Sequence, residues 1–459
     1  MITESEPDSM PVDDRPTGGW HSEVKRPTLS EVFRTIEIPA DASFWRHVLG
    51  FFGPGYLVAV GYMDPGNWAT DIAGGAVYNY RLLSVVVISS LLAVFLQALS
   101  AKLGIVTGRD LAQACRDAYS RPLSIFLWLS AEVAIVACDI AEVIGAAIAL
   151  NLLFHIPMII GVALTTLDVL LVLALQHRGF RWIETLVITL IATMMGIFTI
   201  ELIYAHPDWL GVLAGCLPRR EIVQNPQMLY IGLGILGATV MPHNLYLHSS
   251  IVQTRRHGLS LKDLKYSVRS AYADSTVALT FALFVNAAIL VLAAAAFYKS
   301  GHRDVGDIQS AYKLLTPLLG ASLATPLFAI ALLASGQNST LTGTMAGQVI
   351  LEGFTHFQIK PWLRRMISRC IAVVPALFAV GIYGEQGTGN LIIFSQVVLS
   401  AQLSFAVVPL IQFTSDKKKM GPFVNGVGVK IIGWSMAAVI AVLNLYLIWT
   451  TIFPASTPH

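Results

Sequence analysis

Charge is scarce in this chain. Of its 459 residues only 13% are Asp, Glu, Lys or Arg, about half the roughly 25% usual in soluble domains. So few charges cannot cover a water-facing surface. With 55% hydrophobic residues and a mean hydropathy of +0.66, the chain reads as an all-α polytopic membrane protein. Cysteine is sparse too. Cys115, Cys138, Cys216 and Cys370 show no CxxC spacing, so no disulfide framework is implied. Cys138, inside an apolar helix, reads as a small core residue. The net charge is +2 and the basic residues are scattered among loops, which leaves no nucleic-acid surface. No nucleophile–base constellation appears, so neither an enzyme nor a cofactor is expected. No soluble sensing domain is visible, and no apolar stretch precedes about residue 44, so no cleavable signal peptide is expected.

Long apolar runs are abundant. Eleven windows have membrane-spanning length: about 48–78, 82–105, 122–152, 156–176, 182–204, 227–255, 268–298, 323–352, 362–383, 389–413 and 430–453. Two longer polar loops, 205–226 and 299–321, separate some of them, the second with a candidate short helix near 307–315. Residues 1–44 carry nine acidic and four basic side chains and read as a mostly disordered tail, with 28–38 a candidate surface helix. The N-terminal tail and the loops after even-numbered spans hold 24 of the 30 Lys and Arg residues. By the positive-inside rule the N-terminus is cytoplasmic and, after an odd number of spans, the C-terminus is extracytoplasmic. The expected organisation is a tail over 1–44, a first repeat over 45–205 (spans 1–5), a second over 206–415 (spans 6–10), and span 11 with the C-terminus over 416–459. Five spans per repeat give the repeats opposite topology.

Each repeat opens with an interrupted span. Asp64-Pro65-Gly66-Asn67 breaks the first and Met241-Pro242-His243-Asn244 breaks the sixth. Proline removes a backbone donor and restricts its predecessor, so the chain is expected to unwind over 64–67 and 241–244. Unwound backbone at membrane depth is tolerated where it lines a cavity, and paired breaks in corresponding halves point to a transporter's binding site. An aspartate there costs roughly 2.5–3.5 kcal/mol to insert, which argues for function. Asp64 and Asn67 offer hard oxygens, Met241 a thioether, and Gly61 or Ala238 a carbonyl one turn before its break. Oxygens alone suit magnesium or calcium. The thioether favours softer transition ions such as manganese or iron(II).

The third span places Glu132, Asp139 and Glu142 on one helical face. Such a row resembles a proton relay, and a structural ion-pair network is the other reading. Arg364, Arg365 and Arg369 open span 9 and can pair with these acids. His248 has a side chain suited to proton exchange. His243 has three open roles: ligand, proton carrier or packing polar group, with a part in the proton route or pocket polarity favoured. Asp168 and Asp274 read as interhelical hydrogen-bonding groups.

The two broken motifs, followed by Gly336-Gln337-Asn338-Ser339-Thr340-Leu341-Thr342-Gly343-Thr344-Met345-Ala346-Gly347-Gln348, resemble the Nramp family of divalent metal transporters, over about residues 48–453. The resemblance implies a LeuT-type 5+5 inverted repeat plus an eleventh helix. It implies proton-coupled import of manganese or iron(II), with cadmium, cobalt and zinc often accepted, across a bacterial cell (inner) membrane by a monomer. Asp64, Asn67, Met241 and the Ala238 carbonyl are the ligands it implies. Gln396 matches a position that approaches the ion. Glu132, Asp139, Glu142 and His248 match proton-pathway positions. Gly61 stands where several relatives have Ala, a change expected to matter little because the carbonyl persists. A sodium-coupled amino-acid transporter or magnesium-selective carrier of the same fold, and a magnesium channel or metal-sensing receptor, are the alternatives.

Overall fold

Proline sets the boundaries of the first elements. Pro54 opens α1 (Pro54–Gly61) and Pro65 opens α2 (Pro65–Tyr78), at helical positions where a missing N–H costs nothing. The computed structural model describes residues 20, 27–30, 32–38, 50–167, 180–256, 258, 260–301, 308–311 and 324–452. The helices α3 (Leu83–Thr107), α4 (Leu111–Ala118), α5 (Arg121–Phe154), α6 (Met158–Leu164), α7 (Phe180–Ala205) and α8 (Trp209–Gly215) follow. The second half holds α9 (Pro226–Thr239), α10 (Pro242–Ile251), α11 (Leu261–Ala293), α12 (Ala324–Thr355), α13 (Pro361–Thr414) and α14 (Val427–Ile452). Gly384, at φ 63°, divides α13 into the ninth and tenth expected spans.

Among the described residues eight helical stretches are long and apolar enough to cross a membrane. The difference from eleven has three sources. One continuous stretch, Pro65–Thr107, contains both the second half of the first span and the second span. The α12 helix has the length but carries the polar Gly336–Gln348 stretch. The fourth span is described only to residue 167, and Asp168 lies outside the described residues. On α14, Val442 and Leu445 are more than 60% exposed, as expected of side chains that face lipid.

Two helix packings are extensive, and α9 packs on α13 where they meet. In one, α5 lies against α12 and α13; in the other, α11 lies against α1, α2 and α3. The breaks sit between them, and they are tighter than the motifs suggested. Only Tyr62, Met63 and Asp64 separate α1 from α2, and only Val240 and Met241 separate α9 from α10. Pro65, Gly66 and Asn67 form the first turn of α2, as Pro242, His243 and Asn244 do in α10, because proline both ends one helix and starts the next.

The described residues of 28–38 form no helix. Leu29 and Arg34 take positive φ, and β1 (Ile36–Glu37) pairs in parallel with β2 (Arg255–Arg256) just beyond α10. Thr28 is buried, donates to Asp110 Oδ2 at 2.8 Å and lies 2.8 Å from Ser250 Oγ. Burial pushes the Asp110 carboxyl up to about 6.

The start of α1 is clamped from two sides. Asp274 of α11 accepts from the backbone N–H groups of Gly53 (3.1 Å) and Gly55 (2.6 Å), an interhelical role. Arg255 and Arg181 hold the Gly50 and Phe52 carbonyls and share Glu184. Asp274→Ala removes two buried hydrogen bonds, each worth roughly 0.5–1.5 kcal/mol. Amide exchange across 53–57 is expected to accelerate about tenfold, read by hydrogen–deuterium exchange mass spectrometry. Unchanged exchange would show that the clamp does not hold α1.

Candidate substrate site at the helix breaks

A proline leaves the carbonyl four residues before it without a helical donor. Pro65 does this to Gly61, and Pro242 does it to Ala238. The unwound backbone between α1 and α2 is satisfied by side chains from other helices. Asn286 of α11 donates to the Tyr62 carbonyl at 2.8 Å. Ser335 of α12 (2.5 Å) and Trp68 (3.3 Å) donate to that of Met63. The break is therefore a built feature.

Asp64 is the N-cap of α2. Its Oδ1 accepts from the backbone N–H and the side-chain amide of Asn67, each at 2.8 Å. The same amide donates to the freed Ala238 carbonyl at 3.1 Å, which joins the two breaks. Asn286 in turn donates to Asn67 Oδ1 at 3.2 Å. Gln396 of α13 lies flat on Gly66, where any Cβ would strike its amide, so glycine is what lets it approach. Met241 closes the α9–α10 break against Ala134, Ala137 and Cys138 of α5 and Leu399 of α13. Asp64, Asn67, Ala238, Met241 and Gln396 are all at most 1% exposed.

Four buried oxygens here have no hydrogen-bond partner among the described residues: Asp64 Oδ2, Asn244 Oδ1, Asn286 Oδ1 and Gln396 Oε1. Leaving buried acceptors unmade is costly, and a group of them with one carboxylate is what a cation satisfies. Among the described residues no cluster of three or more His, Cys, Asp or Glu could hold a metal. Any ion here would rest on one carboxylate, amides, carbonyls and a thioether.

The acids of α5 begin beside this site. Cys138 shares a hydrophobic cluster with Met241, and its Sγ lies 3.7 Å from Glu142 Oε1. Asp139 and Glu142 share Arg365 at 2.5 and 2.8 Å, Arg369 lies 3.4 Å from Glu142, and Ser339 donates to Glu142 at 2.6 Å. Glu132 pairs with Arg364 at 2.7 Å. The acids and arginines are thus brought together as an ion-pair network between α5 and α13. His248 stands apart from it: its Nδ1 is 2.9 Å from Gln97 Oε1, and Gln97 donates to the Tyr62 hydroxyl at 2.6 Å. His243 is buried and its Nδ1 has no partner among the described residues. Gln97, Asn286 and Ser335 escaped the sequence reading. Their only signal is polarity within apolar windows, which does not say which face meets a break.

The resemblance noted from the motifs is borne out by comparison. Residues 55–450 match the family model described as natural resistance-associated macrophage protein-like. The chain belongs to the Nramp family. Among Nramp relatives, the divalent metal cation transporter MntH of Listeria monocytogenes serotype 4a is 58% identical over 439 residues, 96% of this chain and 98% of that one. A crystal structure of a mutant of the Eremococcus coleocola manganese transporter superposes with a TM-score of 0.86 at 42% identity, covering 94% of this chain and 93% of that one. MhsT, solved with L-phenylalanine, shares only 14% identity but reaches a TM-score of 0.55 over 86% of this chain and 98% of its own. The architecture is accordingly the LeuT-type inverted repeat, and this Nramp chain is a membrane transporter rather than an enzyme.

Proposed function

We propose that the chain is a proton-coupled importer of divalent transition metal ions, manganese or iron(II), working by alternating access in the cell (inner) membrane. Cadmium, cobalt and zinc are further expected substrates. The observation that supports this reading most is the link between the two breaks: Asp64 Oδ2 is buried without a partner among the described residues, the Asn67 amide bonds both Asp64 and the freed Ala238 carbonyl, and Met241 is buried at the second break. The names of the similar transporters support a divalent cation, and manganese in particular. The N-terminus and the arginine-rich ends of α10 and α13 face the cytoplasm in this reading, and the protein acts as a monomer. The ion enters from outside, and the group of α1, α2, α3, α9, α10 and α11 rocks against α5, α12 and α13. Release follows when α1 leaves its Asp274 clamp. The negative-inside potential assists by about 2.3 kcal/mol per charge per 100 mV. Protons travel by the Asp139–Glu142–Arg365–Arg369 network, with Glu132, Arg364, His243 and His248 as further stations.

An amino-acid substrate is disfavoured by Asp64 itself. Its carboxylate already caps the N-terminus of α2, the place such a fold uses for a substrate carboxylate.

Manganese uptake into proteoliposomes with an internal pH probe tests the proposal. Wild type is expected to carry manganese with protons and to ignore millimolar calcium. Met241→Ala, which removes the soft ligand, is expected to lose that discrimination and admit calcium or magnesium. Manganese flux without proton influx would overturn the coupling, and a variant as selective as wild type would overturn the role of Met241.

A further inference from the structure

Chain near a terminus stays loose unless something ties it down. Ahead of α1 the ties are many. β1 pairs with β2, and the Arg34 and Ile38 N–H groups donate to the Gln253 and Arg256 carbonyls at 3.1 and 2.8 Å. These bonds fix residues 34–38 to the end of α10. Arg255, inside β2, also donates to the Gly50 and Phe52 carbonyls, so the pairing reaches the start of α1. The residues before β1 meet other elements. The Leu29 N–H donates to Glu352 Oε2 of α12 at 3.1 Å. The Trp20 N–H donates to the Lys419 carbonyl at 2.9 Å, and the Trp20 ring lies 5.9 Å from that of Phe413 at the end of α13.

Thr28 stands between the two sets of ties, and it is buried. A threonine hydroxyl has one proton to give. Given to Asp110 Oδ2 at 2.8 Å, it leaves the oxygen to accept from Ser250 Oγ, also at 2.8 Å. Asp110 caps α4, and α4 packs against α12; Ser250 belongs to α10. One hydroxyl thus joins α10 to α4 and, through α4, to α12. It covers a seam that is closed beneath it as well, where the Leu111 N–H of α4 donates to Ser249 Oγ of α10 at 2.9 Å. In the proposed transport cycle α10 and α12 belong to groups that move past each other, and the segment cannot keep both sets of bonds while they do. We propose that residues 27–30 and 32–38 form a cytoplasmic latch. Docked between α10 and the corner of α4 and α12, it holds the release side shut. Thr28 and Leu29 leave Asp110 and Glu352 before α1 swings out, while β1 stays on β2 and travels with α1 and α10. The inference rests on the alternating-access reading and on this face being cytoplasmic.

The test measures KM for manganese separately from each face, in right-side-out and inside-out vesicles, with hydrogen–deuterium exchange on the same variants. Thr28→Val keeps the shape of the side chain and removes its hydroxyl. Losing two buried hydrogen bonds shifts the opening equilibrium about tenfold. The cytoplasmic-face KM is therefore expected to fall about tenfold, because more of the protein is competent to bind from that side. The external-face KM is expected to stay within about twofold. General damage to the fold does not lower a KM. Ser250→Ala reaches the same hydroxyl from α10 and is expected to act in the same direction, so the latch remains testable should Thr28→Val fail to reach the membrane. Thr28→Ser keeps the hydroxyl and is expected to match wild type. Exchange in Thr28→Val is expected to accelerate about tenfold both over 28–38 and over 53–57, the start of α1. An unchanged or raised cytoplasmic-face KM in both variants, or faster exchange confined to 28–38, would overturn the latch. The exchange measurement needs no cargo, so the two levels separate. A wild type that moves no manganese would overturn the transport reading, while accelerated exchange over 53–57 would still support the latch.

Discussion

Asp64→Asn is expected to reduce manganese uptake to below about 1% of wild type while leaving the fold intact. The substitution is isosteric. An amide oxygen can still accept from the Asn67 backbone and side chain, the two bonds that make Asp64 the cap of α2, so the break should keep its shape. What disappears is the one formal negative charge at the meeting of the breaks. Unit charges 4 Å apart interact by roughly 4 kcal/mol at an effective dielectric of 20, so a divalent cation loses on the order of 8 kcal/mol before desolvation is counted. Amides, a thioether and carbonyls do not replace that. Two measurements check it together. Uptake should vanish, and manganese, which raises the melting temperature of wild type by binding the folded state, should no longer do so, while the metal-free melting curves coincide. Uptake above about a tenth of wild type, a deficit of less than about 1.4 kcal/mol, would place the ion elsewhere.

How much of this site was legible in the sequence depends on the reach of each signal. Proline in an apolar window is local and rare, so Pro65 and Pro242 marked both breaks. The exact unwound residues were misjudged by a few positions, because proline and the two residues after it were assigned to the gap when they start the next helix. Charge is also local, so Glu132, Asp139, Glu142 and the three arginines stood out, but the partner of each depended on how α5 and α13 dock. Residues 28–38 failed for the same reason. Their strand exists because Arg255 and Arg256, more than two hundred residues away, offer an edge, and nothing in local periodicity reports that. Gln97, Asn286 and Ser335 are uncharged polar residues on long helices. Asn286 and Ser335 satisfy carbonyls of the first break and Gln97 donates to the Tyr62 hydroxyl, and only the fold shows which face they present.

The ion-pair network gives the second large effect. Arg365 is 1% exposed and bridges Asp139 and Glu142. Arg365→Met leaves two buried carboxylates with Arg369 as their remaining close cation, and breaking a buried pair from one side typically costs about 3–5 kcal/mol. The variant is expected to melt many degrees lower or to be lost from the membrane. Adding Asp139→Asn removes one of the orphaned charges and should restore most of the stability, which fluorescence-detected melting can read. That pair of results follows from electrostatics alone and does not separate scaffold from proton path. Arg365→Lys does. It keeps the charge but not the planar fork that holds two carboxylates at once, so the fold should survive with one acid less tightly paired. If protons pass through this network, the variant should still move manganese while carrying fewer protons per ion. An unchanged ratio would leave Asp139, Glu142 and Arg365 as a structural tie between α5 and α13, and the proton route would have to run past His248 and Gln97 instead, where a buried imidazole already touches the first break through the Tyr62 hydroxyl.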